Sequence, residues 1–590
     1  MTRAPGSSFR APPPRWELSG APDETRAARL AHELSLPVEL CRILVARGHA
    51  DSEAARRFLR PRVQHLTGPE TLVDLPRAVQ RIDEAVRSGE QILVHGDYDV
   101  DGVCAAALLT RWIRRLGGQV EAFVPHRMRD GYDLGAGGLA RAREVGASLL
   151  ITVDCGIVAH EAVAQARAQG IDVIVTDHHA PGASLPPAVA VVNPNRSDDG
   201  SNRGGLCGAG VAFQLCRALA ETRGVPAEEL LQDLDLVALA TVADLVPLRG
   251  ENRVLVRFGL RALERTRKPG LRALLEVCGL EGIPEAGKVG FTLAPRINAM
   301  GRMDDAGRAL RLLLTEDPDE ARQLASLADE VNGRRQDEDR RTLAEALELL
   351  EGEFDPERDW GVVLAREGWH PGVIGIVASR MVERLHRPVV LVALEGEGGR
   401  GSARSIPGFH LHGALTRCAP FLRRFGGHAA AAGMELDRDR LDEFRAGFNQ
   451  VVRGELDPEL LRPSLRVDLE VDPGALTLEL ADLARYLGPH GIGNPRPVLL
   501  ARNLRVDGAR EVGRGHLKMR LGFRSGSVDA IGFGLVERFP PSDWQGELVD
   551  LVFQLSVNEY RGRRTPQLKV LDVRRARAAG TTAASGSSAA

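Results

Sequence analysis

Ile92-Leu93-Val94-His95-Gly96-Asp97-Tyr98-Asp99-Val100-Asp101-Gly102-Val103-Cys104-Ala105 is the stretch whose reading decides the fold. Three apolar residues lead into an acidic turn, and the turn leads into small apolar residues that continue to Leu109. That order predicts a strand, a tight turn and a buried helix. Three alternating aspartates and a histidine in one turn repel and desolvate one another, and a bound cation makes such a cluster favourable. Taken alone, the octet His95 to Gly102 also fits a solvated Asp-rich turn.

Strand-like runs recur at Val120 to Val124, Leu149 to Val153 and Ile171 to Val175, with helical patterns between them. The alternation predicts an α/β domain with a doubly wound, mostly parallel sheet. Ligands of such sheets collect beyond the carboxyl ends of the strands. There the first run enters the octet, the third enters Asp154-Cys155-Gly156, and the fourth enters Asp177-His178-His179. Asp244 follows the apolar helix Leu234 to Leu239. Singly, Asp154 fits a helix N-cap, the histidines a surface pair and Asp244 a turn. Jointly they offer hard ligands from four segments. Carboxylates with two or three imidazoles suit Mn²⁺, with Mg²⁺ as the alternative, and a set without thiolates disfavours structural zinc. The donors outnumber the protein's share of one octahedron, which predicts two ions and a bridging carboxylate.

The bulk numbers set the frame. A chain of 590 residues is too long for one core and predicts roughly three to five domains. With a net charge of -3 and 27% charged residues, any nucleic-acid surface must be a local patch. Seven cysteines without a CxxC pair, no signal-peptide pattern and no membrane-length apolar run predict a cytoplasmic protein. Residues 1–15, rich in Pro, Arg and Ser, read as disordered, and 16–75 as a cap of short amphipathic helices. The α/β catalytic domain then spans 76–304. A charged helical connector follows over 305–355, with Leu310, Leu313, Leu314, Leu324 and Leu327 on its apolar face. A second α/β lobe covers 356–455, successive strands over 460–575 predict a small barrel, and 576–590 read as a disordered tail.

Two basic or glycine-rich constellations lie outside the acidic motifs. Pro125-His126-Arg127-Met128-Arg129-Asp130-Gly131-Tyr132 places an aromatic near two guanidiniums, which suits stacking and phosphate contact as well as a plain exposed loop. In the second lobe, Gly368-Trp369-His370-Pro371-Gly372 precedes a helix, Gly426-Gly427-His428 precedes an Ala-rich run, and Ser402, Arg404 and Ser405 add donors. In the barrel, Arg510, Arg514, Lys518, Arg561, Arg563, Arg564 and Lys569 with Phe533 and Tyr560 offer a basic, aromatic surface.

The four acidic motifs resemble those of the DHH phosphoesterase superfamily. Arg296 to Asp305, Gly401 to Phe409 and Phe425 to Gly433 narrow the resemblance to its bacterial single-strand-specific exonucleases, over about residues 75 to 570. The resemblance implies a DHH domain, a DHH-associated lobe and an OB-fold barrel. It also implies a 5′-to-3′ exonuclease that degrades single-stranded DNA to mononucleotides in recombination and DNA repair, with a single-strand-binding protein and a helicase as partners. By position it implies that His95 and Asp99 hold one ion, that Asp101, His178 and Asp244 hold the other, and that Asp154 bridges them. His179 would face the scissile phosphate, Asp97 and Asp177 would orient ligands, and Arg127, Tyr132, Arg302, Ser402, Arg404 and His428 would contact the DNA. One departure is His490-Gly491, where an aromatic-Gly pair is expected before Gly493-Asn494-Pro495. The competing readings are a DHH phosphodiesterase for short oligonucleotides or cyclic dinucleotides, and a scaffold that has lost its metals. The barrel and two-lobed body favour a polymer, and the full ligand set speaks against the scaffold.

Overall fold

The computed structural model describes residues 9–576, apart from Met128, Tyr132 and the side chain of Glu353. The chain divides into two compact units, one of residues 63–463 with the N-terminal 15 and 491–493, the other of 16–62, 464–490 and 494–590. Among the described residues no helix is long and apolar enough to cross a membrane. All seven cysteines are free.

The first unit is built on a five-stranded sheet of β1 (Gln91–Gly96), β2 (Gln119–Phe123), β3 (Leu149–Val153), β4 (Asp172–Thr176) and β5 (Ala190–Val192). Its order is β2-β1-β3-β4-β5 and every pairing is parallel. The near-continuous apolar runs follow from burial on both faces. Ile92 and Val94 pack toward α1 (Val100–Arg115), α2 (Gly208–Thr222) and α3 (Leu234–Ala243), while Leu93 packs on the opposite face with Leu139 and Val163. Strand order reverses between β1 and β3, the place where sheets of this type open a crevice.

Helix α4 (Ala294–Met303) precedes the connector, which is two helices, α5 (Ala306–Leu314) and the 36-residue α6 (Pro318–Glu353). The break at Thr315 to Asp317 has a local cause. Pro318 occupies the first turn, where its missing N–H is not needed, and the Asp317 carboxylate caps α6 by accepting from Asp319 N–H. The second lobe has β6 (Val362–Glu367), α7 (Ile374–Leu385), β7 (Val389–Glu395), β8 (Gly398–Arg404), β9 (Arg424–Gly427) and β10 (Ala431–Asp437), in sheet order β9-β10-β8-β7-β6. Only β6 and β7, joined through α7, run parallel. Residues 9–15, read as disordered, are tied to this lobe. Ala11 N–H donates to Arg384 C=O, and Phe9 packs edge-on against Phe354 at 5.3 Å, so an aromatic and free backbone groups find partners despite the prolines. Residues 1–8 and 577–590 lie outside the described residues.

The second unit contains a closed barrel of β11 (Leu499–Val512), β12 (His516–Phe523), β13 (Gly526–Gly532), β14 (Leu548–Tyr560) and β15 (Arg563–Arg575). Closure is made by β11 pairing with both β12 and β14, while β13 pairs in parallel with β15. The helices Glu24–Leu34, Val38–Ala46 and Ser52–Leu59, which looked like a separate cap, share the barrel's apolar core. Leu30, Leu40 and Phe58 pack in one cluster with Leu480, Leu499 and Phe553.

Candidate active site

The carboxyl ends of β1, β3 and β4 are level. Gly96 is opposite Val153 and Val153 opposite Thr176, so the next residues, Asp97, Asp154 and Asp177, emerge side by side at one sheet edge. Each turn is shaped to stay tight. Asp99 caps α1, its Oδ1 accepting from Asp101 N–H at 2.9 Å and Gly102 N–H at 3.1 Å. Gly102 must lack a side chain, because a Cβ would stand 2.4 Å from Asp97 N. Asp154 adopts a left-handed φ of 63°, unusual for a non-glycine residue and a mark of imposed geometry.

Three overlapping groups of donors converge here. His178 Nε2 lies 3.1 Å from Asp154 Oδ1, 3.7 Å from Asp244 Oδ2 and 3.8 Å from Asp101 Oδ2. Asp97, Asp99 and Asp154 form a second group, and Asp154, His178 and His179 a third, each with its donor atoms mutually within 4.8 Å. Asp154 Oδ1, His178 Nε2 and Asp97 Oδ1 are buried atoms that find no hydrogen-bond partner in the protein. Burial first, and then the neighbouring carboxylates, push the Asp97, Asp99, Asp154 and Asp244 carboxyls up from their ordinary range. Unpartnered hard donors crowded against like charge fit divalent cations of the Mn²⁺ or Mg²⁺ type.

Other groups brace this cluster from behind. Asp101 accepts from Gly208 N–H at 2.6 Å and Ala209 N–H at 2.7 Å, so the amino end of α2 meets its negative charge. Asp177 accepts from the amides of Ile157, His178 and His179, and from His179 Nδ1 at 2.8 Å. Burial pulls the His179 pKa down, but that hydrogen bond and the charges of Asp177, Asp244 and Asp101 outweigh it and hold it at about 9. Asn193 and Asn195 donate to the carbonyls of His179 and His178. Sequence reading missed Gly208 and Ala209, which act through their backbone amides, and Asn193 and Asn195, whose side-chain amides hold backbone carbonyls; the small-residue run Gly208-Ala209-Gly210 was the available signal.

His95, expected to share an ion with Asp99, has a buried Nε2 that finds no hydrogen-bond partner in the protein. Among the described residues it joins none of the converging groups. Strand alternation puts it on the Leu93 face, where its fully buried ring has Nδ1 3.6 Å from Cys155 Sγ, and a Cβ on Gly138 would stand 2.6 Å from its Nε2. Burial lowers its pKa to about 4, so the ring is neutral. Asp97, expected to orient ligands, stands with Asp99 and Asp154.

Beside this edge lies a cavity of about 470 Å³ lined by Tyr98, Arg127, Gly372, Ser402, Arg424 and Phe425, among others. The Arg127 guanidinium lies 5.2 Å from the Tyr98 ring centroid. Arg404 Nη1 donates to Ser402 Oγ at 3.1 Å, and Arg302 donates toward Gly372 C=O at 3.5 Å. Burial, and then the charges of Arg127 and Arg404, lower the Arg302 pKa to about 10. Three guanidiniums held this close favour an anion between them. His428 is exposed on the loop after β9 and does not line the cavity, and Tyr132 lies outside the described residues.

Three family descriptions match in sequence: the DHH family N-terminal domain over residues 91–241, the DHHA1 domain over 360–454, and the RecJ OB domain over 467–572. The single-stranded-DNA-specific exonuclease RecJ of Dickeya dadantii is 40% identical over 558 residues, covering 91% of this chain and 96% of that protein. A crystal structure of RecJ from Thermus thermophilus in complex with Mn²⁺ superposes with a TM-score of 0.82 at 34% identity, covering 96% of this chain and 80% of that one. Its Mg²⁺ complex gives a TM-score of 0.76 at 33% identity, covering 96% and 79%. On this likeness, spanning the DHH domain, the second lobe and the barrel, the chain belongs to the RecJ family of single-stranded-DNA-specific exonucleases.

Proposed function

We propose that the chain degrades single-stranded DNA from the 5′ end to mononucleotides in a metal-dependent reaction, as a cytoplasmic enzyme of recombination and DNA repair that works with a single-strand-binding protein and a helicase. The observation that carries this reading is the convergence of Asp101, Asp154, His178 and Asp244 around buried donor atoms without protein partners. The polymer-binding barrel and the RecJ relatives favour it over a phosphodiesterase of short or cyclic oligonucleotides.

In this reading Asp101, His178 and Asp244 would hold one cation and Asp99 with Asp97 the other, and Asp154 would serve both. When bound, the cations supply charge neutralisation at the phosphodiester and activation of water. Asp177 receives the His179 Nδ1 proton in a hydrogen bond, which leaves His179 Nε2 to face the scissile phosphate as a donor. Arg127, Arg302, Ser402 and Arg404 bind the terminal 5′ phosphate, with Tyr132 and His428 contacting the strand nearby. Tyr98 joins the two regions, since it lies between Asp97 and Asp99 in sequence and lines the cavity.

Purified protein incubated with Mn²⁺ and end-labelled single strands, duplexes and cyclic dinucleotides tests the reading. Mononucleotide release from the 5′ end of single strands alone, abolished by EDTA and by Asp154→Ala, is expected. Release from duplex or cyclic substrates at equal rates, or unchanged turnover in Asp154→Ala, overturns it.

A further inference from the structure

Phe291 is the most exposed large apolar side chain among the described residues, at 87%. It does not sit on a slack loop. It belongs to a widened π turn, Val289–Leu293, which leads directly into α4, and turns of this kind concentrate at functional sites. Val289 and Leu293 anchor the turn in the core. Arg296 donates to Thr292 C=O at 2.6 Å and to Asp329 at 2.9 Å, bracing the turn from outside.

Both flanks of the turn reach the active site. Gly290 lies against the last turn of α3, where a Cβ would come 3.3 Å from Val242 Cγ1, two residues before Asp244. On the other side α4 carries Asn298, whose Oδ1 accepts from Val100 N–H, and Gly301, where a Cβ would meet Tyr98 O at 2.4 Å. Gly301 follows Phe291 by ten residues, about 15 Å of helix rise. Leu245, next to Asp244, is also exposed at 67% and has a strained left-handed φ of 58°. Lys288 is exposed one turn before Phe291. A rigid, solvent-facing phenyl ring with a cation beside it is the pairing by which proteins hold single strands, the ring under a base and the cation on a phosphate.

We propose that Phe291 stacks on a base of the single-stranded substrate close to the scissile bond, with Lys288 on a neighbouring phosphate and Leu245 filling the space toward Asp244. The π turn then acts as a positioning element that sets how the strand leaves the metal centre. The inference rests on the nuclease reading above and adds a contact that reading does not contain.

Binding of a 5′-phosphorylated oligonucleotide, measured by anisotropy in EDTA so that nothing is cut, tests it with strands carrying one abasic residue at successive positions. Phe291→Ala is expected to weaken binding about 5- to 100-fold and to raise KM with kcat little changed, while the melting temperature stays that of the wild type. Phe291→Trp should restore affinity, and its fluorescence should be quenched by the strand. The deficit of Phe291→Ala should vanish for the strand that is abasic at the stacked position. Wild-type affinity in Phe291→Ala, or a deficit of equal size on every abasic strand, overturns the proposal, as does a defect confined to binding another protein. A wild-type protein that neither binds nor cuts single strands would instead remove the nuclease reading beneath it.

Discussion

Gly208 and Asp154 approach so closely that a Cβ on the glycine would lie 2.4 Å from Asp154 Cβ and 2.6 Å from its Oδ1. The same glycine donates its amide to Asp101. Gly208→Ala therefore has to displace either the Asp154 carboxylate or the start of α2, although alanine suits a helix better. A shift of about 1 Å at a reacting centre costs on the order of 100-fold in rate. Mn²⁺-dependent digestion of labelled single strands should fall by that amount, while the circular-dichroism spectrum stays that of the wild type.

Asp154 is buried among like charges and held at a left-handed φ. Asparagine removes the charge and tolerates that backbone better. In EDTA, Asp154→Asn should melt at a higher temperature than the wild type. Adding Mn²⁺ at 100 times its Kd should stabilise the wild type by about 2.7 kcal/mol and Asp154→Asn by far less, which differential scanning fluorimetry reads directly.

Arg404 contributes both a donor and a charge that disfavours its neighbour Arg302. If Arg404 holds the terminal phosphate as proposed, removing it takes away a charge-assisted contact worth roughly 1.5–3 kcal/mol. Arg404→Ala should lose about tenfold or more in the preference for 5′-phosphate over 5′-hydroxyl strands, measured as the ratio of initial rates. Thermal stability without DNA should not fall, since the variant relieves repulsion.

Lys268 is a buried ammonium lying 2.7 Å from Asp233 Oδ1 and 2.9 Å from Asp235 Oδ1, just before the helix Pro269–Val277. Trp112 Nε1 and Thr266 Oγ1 donate to the same two carboxylates. Lys268→Met strands two buried acids and should destabilise the first unit by about 3–5 kcal/mol. Pairing it with Asp235→Leu should recover part of the loss in urea unfolding followed by hydrogen exchange of α3.

Arg81 pairs with Glu90 at 2.7 Å, and Ser148 Oγ donates to the same carboxylate at 2.6 Å. The hydrogen bond from Arg81 is the main cause that holds the Glu90 pKa below its ordinary 4.5, against partial burial. A depressed carboxyl stabilises the fold above its unfolded pKa and loses that contribution as pH falls through its folded value. The melting-temperature gap between wild type and Glu90→Gln should be open at pH 7, reflecting about 1 kcal/mol or less, and should close as the pH drops below about 4.

The apolar runs that became β1, β3 and β4 were legible because strands buried on both faces carry near-continuous Val, Ile and Leu, whereas the edge strand β2 shows only Val120, Ala122 and Phe123 beside exposed Gln119 and Glu121. β5 is three residues long and left no periodic signal. β11 and β15 were missed because exposed positions in them are arginines, among them Arg510, Arg563 and Arg564, which read as binding surface before they read as strand. In the site, the acidic motifs announced their residue types, but the face on which each one lands depends on pleat and turn. That is why His95 is placed with Leu93 while Asp97 swings round to Asp99 and Asp154. The amides that receive Asp101 were invisible for a simpler reason: every residue but proline has one.

The shared core of the second unit has a consequence for synthesis. Leu30, Leu40 and Phe58 leave the ribosome early, yet their partners Leu499, Phe553 and Leu568 are translated more than four hundred residues later. Residues 63–463 complete their own contacts in the interval. The helices over residues 24–59 therefore keep their apolar faces uncovered until the strands over 499–575 are made and close the barrel around the shared core.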